Sequence, residues 1–323
     1  MGYMSTDVFE GRLGIQQRVL PTYRVPFFDA LGRACRGGLS VFAGQPRSDE
    51  AIHVASRLEC ARYTGARNLQ PFTASSPFYL GWQIGLLRWL EEWQPDVLIV
   101  EANPRVWSTR LGISWMGRRG RPVIGWGLGA PPIARKGFLA TLLDRDRLRF
   151  LHSLDAMIAY SQRGAEEYRA LGIQPERVVV APNAVSPRPV NPPALRLAGQ
   201  NDPPVVLFVG RLQARKRVDH LLQACASLPL ERQPRLWIVG DGPAMEELRS
   251  LASQIYPQAE FFGARHGLEL EPFFTADLFV LPGTGGLGCT GSHGAWAPGD
   301  CRQRGWHSRG SGAAFQWMAD PSR

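Results

Sequence analysis

The chain has 323 residues, enough for one large domain or two ordinary ones, and its 44% hydrophobic content supplies a real core and excludes wholesale disorder. Its formal net charge is +9, of which Gly288–Arg323 carry +2 through four Arg against two Asp. The remaining cations are scattered along helix-like segments with no basic run interleaved with aromatics, so nucleic acid is not the expected partner, whereas anionic substrates or an anionic membrane surface are.

The opening residues, Met1–Arg12, show no apolar core of a signal peptide and no small-residue cleavage site, so no secretory leader is expected. No stretch reaches the roughly 18 uninterrupted apolar residues of a membrane helix. Five Cys at irregular spacing (Cys35, Cys60, Cys225, Cys289, Cys301) fit reduced thiols in a cytoplasmic protein.

Apolar runs alternate with helix-like segments, which predicts α/β layering. Strands are expected at LSVFAG (39–44), DVLIVEA (96–102), RPVIGWG (121–127), AMIAY (156–160) and RVVVAP (177–182). A helix is expected over 76–93, opened by Ser76 and Pro77, and another over 164–172, ending on a C-cap glycine. Residues 186–203, rich in Pro and polar groups, read as a linker. Asn183 beside it has two readings, setting the interdomain angle or closing a turn. A second series follows: strands at 204–210, 235–240, 259–263 and 277–283, and helices near 217–228, 243–255 and 268–275. Two doubly wound domains are expected, 1–185 and 204–287, facing across a cleft, with ligands beyond the carboxyl ends of the strands.

The most informative segment is VLFVGRLQARKRVDHLLQA (206–224). A strand ends at Gly210, Arg211 follows at once, and Lys216 precedes a helix. Gly210 lets the backbone turn and leaves room for a ligand. Two cations at a strand's carboxyl end, beside a helix N-terminus, make an anion site suited to a diphosphate leaving group. An isolated Arg–Lys pair would read as a solvated basic loop. This pair is followed by a Gly-Asp-Gly-Pro turn (240–243), then EFFGAR and ADLFVLPG. Gly242 gives a second close backbone approach.

Together, residues 204–283 resemble the donor-binding domain of the retaining glycosyltransferases of group 1, or family 4. The resemblance implies two Rossmann-like domains (the GT-B fold), with Arg211 and Lys216 on the diphosphate of a nucleotide sugar. It implies transfer with retention to a glycan or lipid-linked acceptor, without a cofactor or a metal. QRVLPTYRVPFFDAL (17–31) is similar to the family's opening strand–loop–helix, which places Pro21, Tyr23 and Arg24 at the reaction centre. Residues 155–185 are similar to the segment leading into the linker. The sequence departs from the family at Gly127-Leu128-Gly129, where a His is common, and in lacking the glycine pair of the first loop.

A dehydrogenase reading needs G-x-G-x-x-G after a strand. Met245 stands where the third glycine of the Gly240 run should be, and Pro132 does so for the Gly127 run. Clustered cations at Arg118, Arg119, Arg121, Arg135, Lys136, Arg145, Arg147 and Arg149 read first as solvated helix faces. Peripheral contact with anionic lipid at the inner membrane face is the functional alternative.

After Leu287 the composition changes. The tail 288–323 has no Leu, Ile or Val, an outcome of roughly a few in ten thousand for ordinary sequence, and no helical or strand period. Overlapping its adjacent codons by one nucleotide forces Gly at Trp296-Ala297, Trp306-His307 and Trp317-Met318, and Trp at Met318-Ala319. With permitted choices elsewhere the shifted text reads as the family's missing segment, with EAMAHGLPVI and NGW motifs. The tail is therefore expected to be out of frame. The donor-site Glu is then absent, the second domain is truncated and its sheet ends on an uncovered edge, and this polypeptide is inactive. Cys289, His293, Cys301 and His307 match no common zinc spacing. A non-catalytic fragment that binds an acceptor or partner, and a two-domain nucleotide-sugar epimerase, are the alternatives.

Overall fold

A computed structural model describes residues 8–50, 52–72, 76, 79–130, 137–182, 203–265, 267–283 and 314–317. The chain divides into two compact units, one of Met1–Arg47 and Ile52–Asn183, the other of Ser48–Ala51 and Ala184–Arg323.

The first unit holds β1 (Leu13–Val19), α1 (Val25–Arg33), β2 (Leu39–Gly44), β3 (Arg62–Leu69), β4 (Trp82–Ile84), α2 (Leu86–Trp93), β5 (Val97–Glu101), α3 (Trp107–Gly117), β6 (Val123–Gly127), α4 (Phe138–His152), β7 (Ala156–Ala159), α5 (Gln162–Ala170) and β8 (Val178–Val180). Its sheet runs β4-β3-β2-β1-β5-β6-β7-β8, parallel except for β4, which pairs antiparallel with β3. The chain builds outward from β1 through β2 and β3, then returns to lay β5 on the other side of β1. This reversal opens a crevice at the carboxyl ends of β1 and β5.

Both faces of the sheet are covered, as parallel strands require. One face packs Leu98, Val100 and Val123 with Trp89, Leu90, Met116, Phe150 and Tyr168. The other packs Ile15, Val41 and Ile99 with Phe28 and Trp126. Each such side chain contributes about 1.5–3 kcal/mol on leaving water.

The helix expected over 76–93 is corrected to α2 alone, with β4 before it. Gly85 adopts φ 94°, a left-handed conformation that interrupts a helix, and Trp82–Ile84 pair with Leu69, Asn68 and Arg67. Ser76 therefore caps no helix. Ser161 does cap one: its side chain accepts from the Gly164 amide at 3.1 Å and starts α5.

The second unit holds β9 (Val205–Val209), α6 (Val218–Ala226), β10 (Arg235–Val239), α7 (Met245–Ile255), β11 (Glu260–Gly263), a 3-10 segment (Gly267–Thr275), β12 (Leu278–Leu281) and β13 (Ala314–Trp317). Its sheet runs β11-β10-β9-β12-β13. Again the chain builds one way from β9 and returns to place β12 on its other side, putting a second reversal between β9 and β12. Val206, Phe208, Leu236, Ile238 and Val280 pack against α6 and α7 through Leu222, Leu248 and Tyr256.

Two expectations for the tail change here. Ala314–Trp317 form a strand despite the absence of a strand period, and they pair antiparallel with β12, so β12 is not a bare edge. Unpaired backbone groups along an edge accept any extended segment that reaches them. The remainder of the tail, including Cys289, His293, Cys301 and His307, lies outside the described residues, as do Asn183 and the linker through Asp202.

Candidate donor and acceptor sites

In the second unit, three loops meet at the carboxyl ends of three adjacent strands, at the reversal between β9 and β12. The loop after β9 carries Gly210, Arg211 and Lys216. Its Gly210 amide donates to Val239 O at 2.9 Å, and its Leu212 amide donates to Asp241 O at 2.9 Å. The loop after β10 returns a bond from the Ala244 amide to Leu212 O at 3.1 Å. The loop after β12 comes in through Gly283, where a β-carbon would stand 2.5 Å from Lys216 Cα.

Glycines make this approach possible. A β-carbon on Gly240 would overlap the carbonyl of Gly210, and one on Gly242 would overlap the carbonyl of Leu212 and stand 2.9 Å from its nitrogen. The space beside Gly242 is thus filled by the neighbouring loop's backbone. A β-carbon on Gly210, at φ 158°, would meet the Phe208 ring edge at 3.4 Å, an ordinary contact.

The cations stand on this platform. Arg211 is half-buried, and Lys216 is 7% exposed at the end of the 3-10 turn Ala214–Lys216. Arg217 follows in a left-handed conformation (φ 53°) and chelates Asp219 at 3.2 and 3.0 Å, opening α6. Asp219 sits in the first turn of α6, where an acidic group suits the positive end of the helix dipole.

In the first unit, Pro21, Tyr23 and Arg24 share one turn. Pro21 is buried and bridges to Val54, Thr22–Arg24 form a 3-10 turn, and Tyr23 is 39% exposed. Arg24 turns inward and is 8% exposed. It donates to Gln17 Oε1 at 2.7 Å and to Tyr160 Oη at 2.8 Å, and lies 5.1 Å from the Trp126 ring centre. Burial acts to lower its pKa, but the attraction and hydrogen bond of Tyr160, with Tyr23 and Glu101, outweigh this and raise it. Burial raises the Tyr160 pKa, against the opposing pull of Arg24.

These residues form a row along one face of the sheet. Glu101 pairs with Trp126, Trp126 with Ile158, and Tyr160 lies two residues further on. Gln17 stands one step beyond the Gln16–Val100 pair that joins β1 to β5. Gln17, Tyr160 and Trp126 were not singled out from the sequence. The available signal was two adjacent glutamines inside an otherwise apolar strand.

The Gly127-Leu128-Gly129 turn borders this row. Tyr160 N donates to Gly127 O at 3.1 Å, and the Gly129 amide donates to Tyr168 Oη at 3.3 Å. Leu128 is 78% exposed at its tip.

Residues 39–188 match the family model described as "Glycosyltransferase Family 4", and residues 203–292 match "Glycosyl transferases group 1". A GDP-mannose-dependent alpha-mannosyltransferase of Mycobacterium tuberculosis is 32% identical over 213 residues, 61% of this chain and 52% of that protein. A lipopolysaccharide core biosynthesis glycosyltransferase of Rhizobium meliloti is 30% identical over 154 residues, 47% of this chain and 43% of that protein. The chain thus spans about half the length of these relatives. Among solved structures, HepE of Anabaena with UDP and glucose aligns with TM-score 0.55 and 15% identity over 85% of this chain and 75% of that one. The lipopolysaccharide outer core galactosyltransferase WaaB, in its apo form, aligns with TM-score 0.54 and 17% identity over 84% and 74%. Two α/β units with these matches, one per unit, place the chain among the group 1 glycosyltransferases of family 4, with the GT-B fold.

Proposed function

We propose that the parent enzyme transfers a sugar from a nucleotide diphosphate sugar to a glycan or lipid-linked acceptor with retention of configuration. The observation that carries this is the placement of Arg211 and Lys216 where the loops after β9, β10 and β12 converge. A diphosphate held there meets two cations and the positive end of α6. These stabilise the charge that develops as the sugar–phosphate bond breaks. Domain limits of 1–185 and 204–287 with the linker 186–203 belong to the same reading, with Asn183 at the junction. Pro21, Tyr23 and Arg24 form the acceptor side. The mannosyltransferase relative takes GDP-mannose and the Anabaena structure holds UDP, which supports a nucleotide sugar donor of either kind.

This polypeptide as written is proposed to be inactive because its tail is out of frame. The group 1 match stops at residue 292, soon after the composition changes, and β12 is followed by an antiparallel strand from the tail. A non-catalytic chain that still binds a donor or acceptor is therefore the second reading. Leu142 and Leu143, 44% and 62% exposed on α4 beside exposed Arg145 and Arg149, support peripheral contact with an anionic membrane. No helix among the described residues is long and apolar enough to cross one.

The test is titration of UDP and GDP into the chain, with labelled UDP- and GDP-sugars given to the frame-corrected enzyme for product analysis. Binding lost on substitution of Arg211 and Lys216 supports the reading. Failure of both nucleotides to bind overturns it. An epimerised sugar nucleotide as product would establish an epimerase instead.

A further inference from the structure

The row at the β1–β5 reversal of the first unit has an excess of buried hydrogen-bond donors. Arg24 is a buried cation whose two hydrogen-bond acceptors, Gln17 Oε1 and Tyr160 Oη, are both neutral side chains. Among the described residues it forms no ion pair, and Glu101 reaches it only through space. The Glu101 carboxylate instead accepts the Arg18 amide at 2.7 Å. Arg24 Nε is buried with no acceptor, as are Gln17 Nε2 and Trp126 Nε1. A guanidinium only donates, so Tyr160 must accept from Arg24, and its own hydrogen is turned away to donate elsewhere.

Unmet groups here are of one kind. Three N–H groups and one O–H gather at a buried cation that no carboxylate contacts directly, and among the described residues no unmet buried acceptor on this face balances them. Gln16 Oε1 is unmet too, but Gln16 sits one residue along the strand and so faces the other side of the sheet, bonded to Gln83. A buried charge left uncompensated is unfavourable unless something else in the function supplies the missing partner. Position agrees with chemistry, because ligands of doubly wound sheets sit beyond the strand ends at such a reversal. Tyr160 is half-buried and forms the accessible end of the cluster, with Arg24 2.8 Å behind its hydroxyl.

We propose that Arg24 and Tyr160, backed by Gln17 and Trp126, form a recognition site for an anionic oxygen group, a phosphate or a carboxylate, carried by the acceptor. This rests on the glycosyltransferase reading for the word acceptor, but the anion site itself is independent of it. The ligand oxygen takes the Tyr160 O–H, and its charge faces the guanidinium across the ring hydroxyl. The same site would discriminate against a neutral acceptor, which leaves Arg24 without a counter-charge.

The experiment removes the other phosphate site first. Inorganic phosphate is titrated into the full chain carrying R211A and K216A, by calorimetry and by thermal unfolding, and sodium acetate is titrated in parallel. One remaining phosphate site and a rise in Tm are expected; acetate acting instead of phosphate assigns a carboxylate. Adding Tyr160→Phe is expected to weaken binding about tenfold, because the ligand loses its O–H donor while the Arg24 charge remains. Adding Arg24→Met is expected to abolish binding, since the charge that attracts the anion is gone. The proposal is overturned if neither anion binds the R211A/K216A chain, or if the chain further carrying Y160F binds the anion as tightly as its R211A/K216A parent. UDP binding to the unsubstituted chain separates the two failures: UDP bound with no second anion site sinks only this inference.

Discussion

Gly240 packs directly against Gly210, with its amide donating to Gly263 O at 2.8 Å and no room on its other side for a β-carbon beside the Gly210 carbonyl. Its φ of 147° adds a second constraint. Gly240→Ala should therefore destabilise the second unit by about 2–4 kcal/mol, combining overpacking with backbone strain. Gly263 is the control: its φ is 70° but nothing lies within 4 Å of a β-carbon there. Gly263→Ala should cost only about 1–2 kcal/mol. Denaturant unfolding of both variants checks the difference, and equal losses would refute the packing argument.

Arg211→Ala and Lys216→Ala should each weaken UDP or GDP binding about 10- to 100-fold, the loss of one charge-assisted contact. Arg215, exposed on the same loop, should change affinity less than about threefold when replaced by Ala. Calorimetric titration gives all three values. A dominant effect at Arg215 would move the diphosphate off the platform.

Tyr168 is fully buried, and burial holds its hydroxyl at about 12, above the unfolded value of 10.0. The folded protein keeps this proton where the unfolded chain has lost it. Stability from this group is whole below pH ~10 and declines as pH rises towards ~12, by about 3 kcal/mol in all. Cys225, pushed up by burial to about 11 from 9.0, adds a decline that starts near pH ~9. Tyr168→Phe should flatten the stability curve above pH ~10 and leave the Cys225 portion in place. A curve unchanged by Y168F would assign the alkaline loss elsewhere.

Sequencing the gene across the codons for Thr284 to Thr290 should reveal one surplus nucleotide. The corrected chain should regain the donor-site Glu and transferase activity, and the present one should show none. If the nucleotide stands and the polypeptide as written turns over donor, the out-of-frame reading is wrong.

Much of the scaffold was legible because parallel strands buried on both faces are plain apolar runs. The stretch 39–44 was read as a strand and forms one over Leu39–Gly44. β3 was missed because RYTGARNL is an edge-side strand with mostly exposed or half-buried positions, so its hydrophobic signal is weak. The over-long helix came from reading an amphipathic stripe through Gly85, where backbone conformation, not periodicity, decides. The cation pair was visible because Gly210, Arg211 and Lys216 lie close together in the chain. The Arg24–Tyr160 contact joins residues 136 positions apart, and only the sheet order brings them together.

The platform under Arg211 and Lys216 is assembled from main chain: amides, carbonyls and the missing side chains of Gly240, Gly242 and Gly283. Its shape therefore does not depend on which side chains line its rim. If the proposed diphosphate sits there, those rim residues can be exchanged without disturbing its seat, so preference for one sugar or base over another would drift while the leaving-group chemistry stays intact. A scaffold of this kind diversifies cheaply in what it carries and resists change in how it lets go.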